Sequence, residues 1–281
     1  MHLPLPVAAP RPSARSHRRV LNVAHRGASW EAPENTLAAV RRAVVVGADK
    51  IEVDIQRSKD GALVLMHDTT LARTTNAREV FPTRGPWRVA DFTYEELTRL
   101  DAGSWKSPLF AGEPIPTLEE AVAVMHEGGV GLLLELKAPE RYPGIVSDVV
   151  DALVRLPGFV EAAVASRRLV VQSFDFAAMK EHKTQVPAIP VGLLGAPARA
   201  HLPVLATWAD QVNPSHLSVD RGYVDTVHDL GMDCLVWTVN RGAGMKRALR
   251  IGADGVITNR PCLLERVLAA RAGQIPVGSD S

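Results

Sequence analysis

The sequence predicts an α/β protein folded as a TIM (β/α)8 barrel, with a small inserted subdomain after the second strand. Its length of 281 residues is common for a single barrel of this kind. From Val20 onward, apolar strand-like runs alternate with helical segments, and eight such units are counted when one short extra run is left out. Strands this apolar indicate a parallel sheet covered by helices, and eight units favour closure into a barrel.

The first two units contain the most informative strands. The first strand covers residues 20–24 and leads into H-R-G, after which a helix is predicted over residues 34–46. The second strand, I-E-V-D-I at residues 51–55, alternates apolar and acidic residues, so its two carboxylates share one face. A K-D-G turn then reverses the chain into the short apolar run at residues 63–66, which is followed by His67.

Residues 69–116 break this alternation. They hold five prolines, scattered aromatic residues and a short helical piece at residues 93–100, and we expect an insertion that packs beside the barrel. The alternation resumes with a helix at residues 117–127, where Thr117 and Glu120 form a capping box. The remaining strands are predicted at residues 131–137, 169–174, 190–195, 211–216, 234–240 and 255–259, and the remaining helices at 144–155, from 175 onward, and at 198–207, 220–230, 242–251 and 261–270.

The ends of the chain and its overall composition narrow the class of protein. Residues 19–271 are assigned to the barrel, while residues 1–18 and 272–281 are expected to be flexible tails. We expect neither a signal peptide nor a membrane span, since no apolar run is long enough. The net charge of +1 gives no reason to expect nucleic acid as a partner. The two cysteines, Cys234 and Cys262, are expected to be small hydrophobes, and their scarcity fits a cytoplasmic location.

Ionisable residues recur at the ends of the predicted strands. Since the carboxyl ends of barrel strands meet at one mouth, we expect these side chains to converge there. Three buried carboxylates would need pairing or a metal, and their oxygens suit Mg²⁺ or Ca²⁺ better than zinc. A lysine and an arginine beside such a cation make a phosphate pocket, and two histidines can act as general acid and base. The residues are His25 and Arg26 after the first strand, Glu52 and Asp54 on the second, His67 after the short run, Glu135 and Lys137 on the third, and Trp237 on the seventh.

These residues sit in a series of short motifs. In chain order the main ones read A-H-R-G, E-x-P-E-N-T-L, E-V-D-I-Q, V-L-M-H-D, E-L-K, Q-S-F-D, W-T-V-N and G-A-D-G-V-I-T-N-R-P. Each motif alone is weak, but the ordered set is specific and spans residues 20–268, nearly the whole chain. The set resembles the glycerophosphodiester phosphodiesterase family.

The resemblance implies a TIM barrel enzyme that hydrolyses a glycerophosphodiester, a small-molecule substrate, to glycerol 3-phosphate and an alcohol. By that resemblance, Glu52, Asp54 and Glu135 hold a divalent cation, Mg²⁺ or Ca²⁺. His25 and His67 carry the proton transfers, and the glycerol 2-hydroxyl attacks phosphorus to give a cyclic phosphate that water then opens.

The resemblance also assigns the side chains around the phosphate and the glycerol. Arg26 and Lys137 stabilise the charge on phosphorus, and Trp237 walls the glycerol side, although it could also simply pack the rim. Two residues depart from the family pattern, since Asn259 stands where aspartate is common and Ala77 where glycine is frequent. We expect neither of them to touch the metal or the two histidines.

Two other functions stay open for the same barrel. One is lysophospholipase D or sphingomyelinase D-type activity on lipid substrates, which an apolar groove beside the mouth would favour. The other is an inactive barrel that serves as a binding module, against which the complete set of histidines and carboxylates argues. The sequence leaves open the preferred alcohol, the choice between Mg²⁺ and Ca²⁺, and the oligomeric state.

Overall fold

The structure is a computed structural model that describes residues 19–273 of the chain. Within those residues, eight parallel strands close into a barrel, because the first strand pairs with both the second and the last. One further short strand pairs antiparallel with the second strand. The predicted TIM (β/α)8 barrel is therefore confirmed. The strands are β1 (Leu21–His25), β2 (Lys50–Arg57), β3 (Leu63–Leu65), β4 (Gly131–Leu136), β5 (Leu169–Ser173), β6 (Val191–Leu194), β7 (Gln211–Asn213), β8 (Asp233–Val236) and β9 (Gly255–Thr258).

Helices connect the parallel strands and cover the outside of the barrel. Local chemistry sets several of their ends: Thr117 and Glu120 form the predicted capping box, and Gly47 ends the first helix in a left-handed conformation. The helices are α1 (Leu37–Val46), α2 (Ala77–Val80), α3 (Tyr94–Leu97), α4 (Leu118–Glu127), α5 (Ile145–Val154), α6 (Pro157–Ala165), α7 (Phe176–Gln185), α8 (Leu202–Leu205), α9 (Arg221–Asp229), α10 (Gly242–Ile251) and α11 (Pro261–Arg271).

The two faces of each strand meet different surroundings. On β2, Ile51, Val53 and Ile55 are buried in the large core shared with the helices, so Glu52 and Asp54 point into the barrel. A small apolar cluster fills the interior, made of Val23, Leu133, Val170, Leu235 and Ile257 from five strands. On β1, β4 and β5, and directly after β9, the next interior position toward the carboxyl end is polar. The interior therefore changes from apolar to polar at the mouth.

The insertion between β3 and α4 has an apolar cluster of its own. The rings of Phe81 and Phe92 lie 5.1 Å apart, and Leu97 from α3 is buried with them. Val64 and Met66, from the chain around β3, belong to the same cluster. The insertion therefore packs on the β2–β3 hairpin, directly beside the barrel mouth.

Some predicted boundaries differ from the structure for local reasons. The helix predicted from Glu34 begins at Leu37, because the Thr36 side chain accepts a hydrogen bond from the backbone of Ala39 and caps it. The strand predicted to reach Asn240 ends at Val236, and the helix predicted over residues 198–207 is a 3₁₀ turn followed by α8. Helix α6 was not predicted.

The predicted tails fall almost wholly outside the structure. Residues 1–18, and all of 272–281 except the first two, lie outside the described residues. Among residues 19–273, no helix combines the length and the apolar character needed to cross a bilayer.

Candidate active site

Three carboxylates from two neighbouring strands form the centre of the barrel mouth. Glu52 and Asp54 lie on β2, and the β2–β4 register pairs Asp54 with Glu135. One oxygen from each of the three carboxylates lies within 4.8 Å of the other two. All three side chains are buried, so their charges are poorly screened by water.

The charges of this acidic triad perturb one another. Burial and repulsion from Asp54 and Glu135 raise the pKa of Glu52 well above its ordinary value. Burial and the charge of Asp54 raise the pKa of Glu135 to about 7. Burial also opposes ionisation of Asp54, but Arg26 and Lys137 outweigh it and lower the pKa of that carboxyl. The negative charge of the three carboxylates therefore exceeds the positive charge around them when all three are ionised.

Two cations contact the triad directly. The Arg26 guanidinium Nε lies 3.1 Å from Asp54 Oδ2, and the Arg26 backbone N–H donates to Glu52 Oε2 at 2.9 Å. The Lys137 ammonium donates to Glu135 Oε1 at 2.6 Å and lies 3.6 Å from Asp54 Oδ1. Two positive side chains thus face three carboxylates, so ionisation of all three would leave one negative charge uncompensated within the cluster.

The donor set fits a hard divalent cation. Within residues 19–273, Glu52 Oε1 and Asp54 Oδ1 are buried and have no hydrogen-bond partner. A buried carboxylate oxygen without a partner is costly, and a metal ion is one of the few groups that satisfies it. Three carboxylate oxygens with no cysteine among them match the preference of Mg²⁺ or Ca²⁺. The predicted ligands Glu52, Asp54 and Glu135 are therefore brought together in a geometry compatible with a divalent ion.

The first histidine borders the triad. His25 ends β1, and its Nε2 lies 4.0 Å from Glu52 Oε2. Its Nδ1 lies 2.6 Å from the side-chain oxygen of Asn259. Burial and the charge of Arg26 lower the pKa of His25 to about 4, so the ring is neutral near pH 7. The expectation that Asn259 touches neither histidine was wrong, because β9 lies next to β1 in the closed barrel.

The second histidine is oriented by a carboxylate. His67 follows β3, and its Nδ1 lies 2.7 Å from Asp68 Oδ1. Arg73 donates to both oxygens of Asp68 at 2.6 and 3.0 Å, and mainly for this reason the pKa of Asp68 falls to about 2. A carboxylate that is ionised near neutral pH only accepts hydrogen bonds, so His67 Nδ1 donates to Asp68 and the direction of the ring is fixed.

A chain of ion pairs links the two histidine segments. Arg73 also donates to Glu34 Oε1 at 2.7 Å, and Arg26 donates to the same oxygen at 2.8 Å. Because Arg26 contacts Asp54, the chain runs from His67 through Asp68, Arg73, Glu34 and Arg26 to the acidic triad.

Two aromatic side chains, Trp237 and Phe174, form part of the wall of the mouth. The Trp237 indole N–H donates to the backbone oxygen of Asn213 at 2.6 Å, which fixes the ring just after β8. Phe174 packs edge-on against it at 5.7 Å, and the Lys137 ammonium lies 6.0 Å from the Phe174 ring centre. All eight predicted site residues therefore lie around one mouth.

Sequence reasoning missed some of the residues that support this site. Asn35 donates its side-chain amide to Asp54 Oδ2 at 2.8 Å. Its side-chain oxygen accepts the Asp54 backbone N–H at 3.2 Å. Arg73 forms ion pairs with Asp68, five positions away, and with Glu34, 39 positions away. Of these three residues, only Asp68, in the H-D pair, gave a local signal.

Comparisons with known proteins agree with this geometry. A model of the glycerophosphoryl diester phosphodiesterase family matches residues 25–263. A glycerophosphodiester phosphodiesterase of Caldanaerobacter subterraneus subsp. tengcongensis is 36% identical over 247 residues, which are 86% of this chain and 95% of the relative. One from Bacillus subtilis is 33% identical over 274 residues, covering 92% of this chain and 90% of the relative.

A solved structure is similar as well. The structure of an Oleispira antarctica phosphodiesterase in complex with the product sn-glycerol-3-phosphate matches with a TM-score of 0.75 and 30% identity, over 88% of this chain and 95% of that one. The chain therefore belongs to the glycerophosphoryl diester phosphodiesterase family and is an enzyme of that class.

Proposed function

We propose that the enzyme hydrolyses small glycerophosphodiesters to glycerol 3-phosphate and an alcohol, with Mg²⁺ or Ca²⁺ held by Glu52, Asp54 and Glu135. The observation that carries this proposal is the meeting of three buried carboxylates with two oriented histidines at one mouth. The product in the complex of the Oleispira antarctica relative supports the glycerol 3-phosphate half of the substrate.

The bound cation would supply positive charge to the phosphate and to a glycerol hydroxyl. Two cationic side chains of the chain itself, Arg26 and Lys137, would add positive charge at the phosphate. Arg26 and Lys137 each contact the triad and carry further N–H donors that can bind the phosphate oxygens. Because both are largely buried, their attraction for charge developing on phosphorus is strong.

The first chemical step is an internal attack. The glycerol 2-hydroxyl oxygen bonds to phosphorus, its proton passes to a histidine, and the bond from phosphorus to the alcohol oxygen breaks. The other histidine gives a proton to that oxygen, so a neutral alcohol leaves and a cyclic phosphate remains. The neutral ring of His25 suits it to accept the proton, and the carboxylate of Asp68 suits His67 to donate one.

The second step opens the cyclic phosphate. The oxygen of water bonds to phosphorus, and the bond from phosphorus to the glycerol 2-oxygen breaks. The histidine that lost its proton takes one from the water, and the other histidine returns a proton to the 2-oxygen. Both rings regain their starting state, and glycerol 3-phosphate leaves. Trp237 walls the glycerol side of the pocket, held in place by its bond to Asn213. We place the enzyme in the cytoplasm, where its two free cysteines, Cys234 and Cys262, would stay reduced.

A second candidate substrate is a lysophospholipid. Large apolar side chains are exposed on loops that follow β1, β5 and β7, all at the mouth: Trp30 at 56%, Phe174 at 55% and Leu217 at 77%. Exposed apolar groups around a catalytic mouth suit an acyl chain. This observation favours lysophospholipase D activity as the alternative.

Turnover of glycerophosphocholine tests the proposal. We expect glycerol 3-phosphate and choline as products, and we expect His25→Ala and His67→Ala to lower kcat by about 100- to 10,000-fold, the usual effect of losing a general acid or base. Both variants should melt like the wild type. His201→Ala, which replaces an exposed histidine just before α8, is the matched control and should keep full activity.

The products also separate the candidates. Phosphocholine instead of choline would contradict the proposed bond cleavage, and wild-type turnover in either histidine variant would remove that residue from its role. Faster release of choline from lysophosphatidylcholine than from glycerophosphocholine would favour the lipid substrate.

A further inference from the structure

Asn259 makes the hydrogen bond that orients the His25 ring. It directly follows β9, and the register pairs Ala24 of β1 with Thr258 of β9, so both residues reach the same level of the mouth. The side-chain oxygen of Asn259 lies 2.6 Å from His25 Nδ1. A contact this short fixes both the direction of the ring and the identity of the nitrogen that faces away from the substrate.

Asn259 is itself fixed by two loops of the mouth. Its backbone N–H donates to the side-chain oxygen of Asn240 at 2.9 Å, after β8. Its backbone oxygen accepts the N–H of Trp30 at 3.0 Å, in the loop after β1. The backbone of Asn259 is therefore fixed by hydrogen bonds to two loops, and this fixes the position of the side-chain oxygen that contacts His25.

This contact selects one tautomer of His25. An amide oxygen only accepts hydrogen bonds, so Nδ1 must carry the hydrogen. Nε2 is then left with its lone pair, facing the acidic triad 4.0 Å from Glu52 Oε2. A neutral histidine in this tautomer can accept a proton from a hydroxyl bound over the triad.

The two histidines of the mouth differ in the charge of their partners. His67 Nδ1 meets the carboxylate of Asp68, whereas His25 Nδ1 meets an uncharged amide. A carboxylate at position 259 would select the same tautomer, but it would add a negative charge beside a triad that already lacks positive charge. The amide orients His25 without that cost.

We propose that Asn259 is a positioning residue for catalysis: it holds His25 in the Nδ1–H tautomer with Nε2 toward the substrate, and it does so without adding charge to the mouth. This inference rests on the proposed function of His25 as a proton carrier. It assigns Asn259 a direct part in orienting the His25 ring.

Three variants test the proposal with glycerophosphocholine as substrate. Asn259→Leu keeps the size of the side chain but removes the acceptor, so kcat should fall at least about tenfold while KM stays within about twofold. Asn259→Asp restores an acceptor and should recover kcat to within about threefold of the wild type, since the tautomer is kept. Asp254→Asn is the matched control, because it exchanges acid and amide at the other end of β9, where Asp254 meets His228 at 2.8 Å. That variant should keep wild-type kcat and KM.

The ring nitrogens of His25 give a readout that a purely structural role would not move. In ¹⁵N NMR of the full-length protein, assigned by comparison with His25→Ala, the wild type and Asn259→Asp should show one protonated nitrogen, Nδ1. In Asn259→Leu the two nitrogens should move toward averaged shifts, because both tautomers become populated.

Two results would overturn the inference. One is wild-type kcat in Asn259→Leu with a folded protein. The other is equal loss in Asn259→Leu and Asn259→Asp, which would mean that the acceptor is not what matters. Failure of the wild type to release glycerol 3-phosphate would instead overturn the proposed function, and the ¹⁵N spectrum would still decide whether Asn259 sets the tautomer.

Discussion

At the scale of single residues, the ionisable side chains of the mouth are placed where their charges lower the stability of the folded protein. Burial and repulsion from Asp54 and Glu135 raise the pKa of Glu52 well above its ordinary value. A residue kept only for the fold would not be placed where its ionisation costs free energy. The three carboxylates of the triad therefore repel one another, and a bound cation would relieve that repulsion.

Replacement of Glu52 by glutamine separates folding from metal binding. In EDTA, Glu52→Gln should unfold with a higher free energy than the wild type, since it removes a carboxyl whose ionisation is opposed by burial and by Asp54 and Glu135. The stabilisation that added Mg²⁺ or Ca²⁺ gives the wild type should shrink in the variant. Thermal unfolding with and without each ion measures both effects, and Glu161→Gln on the exposed side of α6 is the control. Equal ion-induced stabilisation in Glu52→Gln and the wild type would remove Glu52 from the ligand set.

The sequence predicted the charged residues of the mouth better than the neutral ones. Alternation along β2 was enough to orient Glu52 and Asp54 inward, and their acidity marked them as unusual. The contact of Asn259 with His25 depends on the closure of β9 onto β1, across 234 positions of sequence. No local pattern encodes such a contact, so it was predicted wrongly.

At the scale of elements, the H-R-G loop that begins at His25 packs directly against α1. Gly27 has a φ of 79°, and a Cβ there would lie 2.6 Å from the backbone carbon of Ala39 in α1. Glycine is required at this position both for its conformation and for the close approach. The H-R-G loop can therefore keep its path only while α1 packs directly against it.

Two alanine substitutions isolate this close approach. Gly27→Ala and Gly47→Ala share the same left-handed strain, but a Cβ at Gly47 would meet nothing within 4 Å. We expect Gly27→Ala to be less stable than Gly47→Ala by about 2 kcal/mol, the usual cost of overpacking, and to lose activity because the His25 loop moves. Urea unfolding and turnover of glycerophosphocholine provide the comparison. Equal stability of the two variants would mean that the loop and α1 can separate freely.

Element prediction succeeded where capping and periodicity were strong. The capping box at Thr117 marks a real helix start, and the first helix ends at residue 46 as predicted. Helix α6 was missed because its apolar residues are not confined to one face, so the pattern lacks helical periodicity. The helix from Glu34 was started too early, since Thr36 is its cap and Glu34 instead pairs with Arg26 and Arg73.

At the scale of the whole molecule, a buried histidine couples stability to pH. His182 on α7 is fully buried, and within the described part of the chain neither of its ring nitrogens has a hydrogen-bond partner. Burial, with a smaller contribution from Lys183, lowers the pKa of His182 from 6.5 to about 4. Between those values the unfolded chain binds a proton that the folded protein does not.

Stability should therefore fall as the pH is lowered from about 6.5 to about 4, with His182 contributing on the order of 3 kcal/mol over that interval. This part of the free energy of unfolding is fully present above pH 6.5, where His182 is neutral in both states, and is lost below pH 4. His182→Leu should flatten this part of the stability curve, whereas His201→Gln on the surface should not. Urea unfolding at a series of pH values checks the prediction, and parallel curves for His182→Leu and the wild type would contradict it.

The architecture explains why the fold was easier to predict than the site. Eight apolar strands alternating with helices leave few ways to cover both faces of a parallel sheet, so the barrel follows from the pattern. The mouth is assembled from the ends of separate strands, and its distances depend on the register of the closed barrel. Residue types at strand ends could be predicted, but their partners could not.

The most direct test of the account is the dependence of turnover on a divalent cation. Protein freed of metal by EDTA and then dialysed should release no glycerol 3-phosphate from glycerophosphocholine, and addition of Mg²⁺ or Ca²⁺ should restore release in the wild type but not in Asp54→Asn. Full activity of the metal-free protein would contradict the central claim that Glu52, Asp54 and Glu135 form a catalytic cation site.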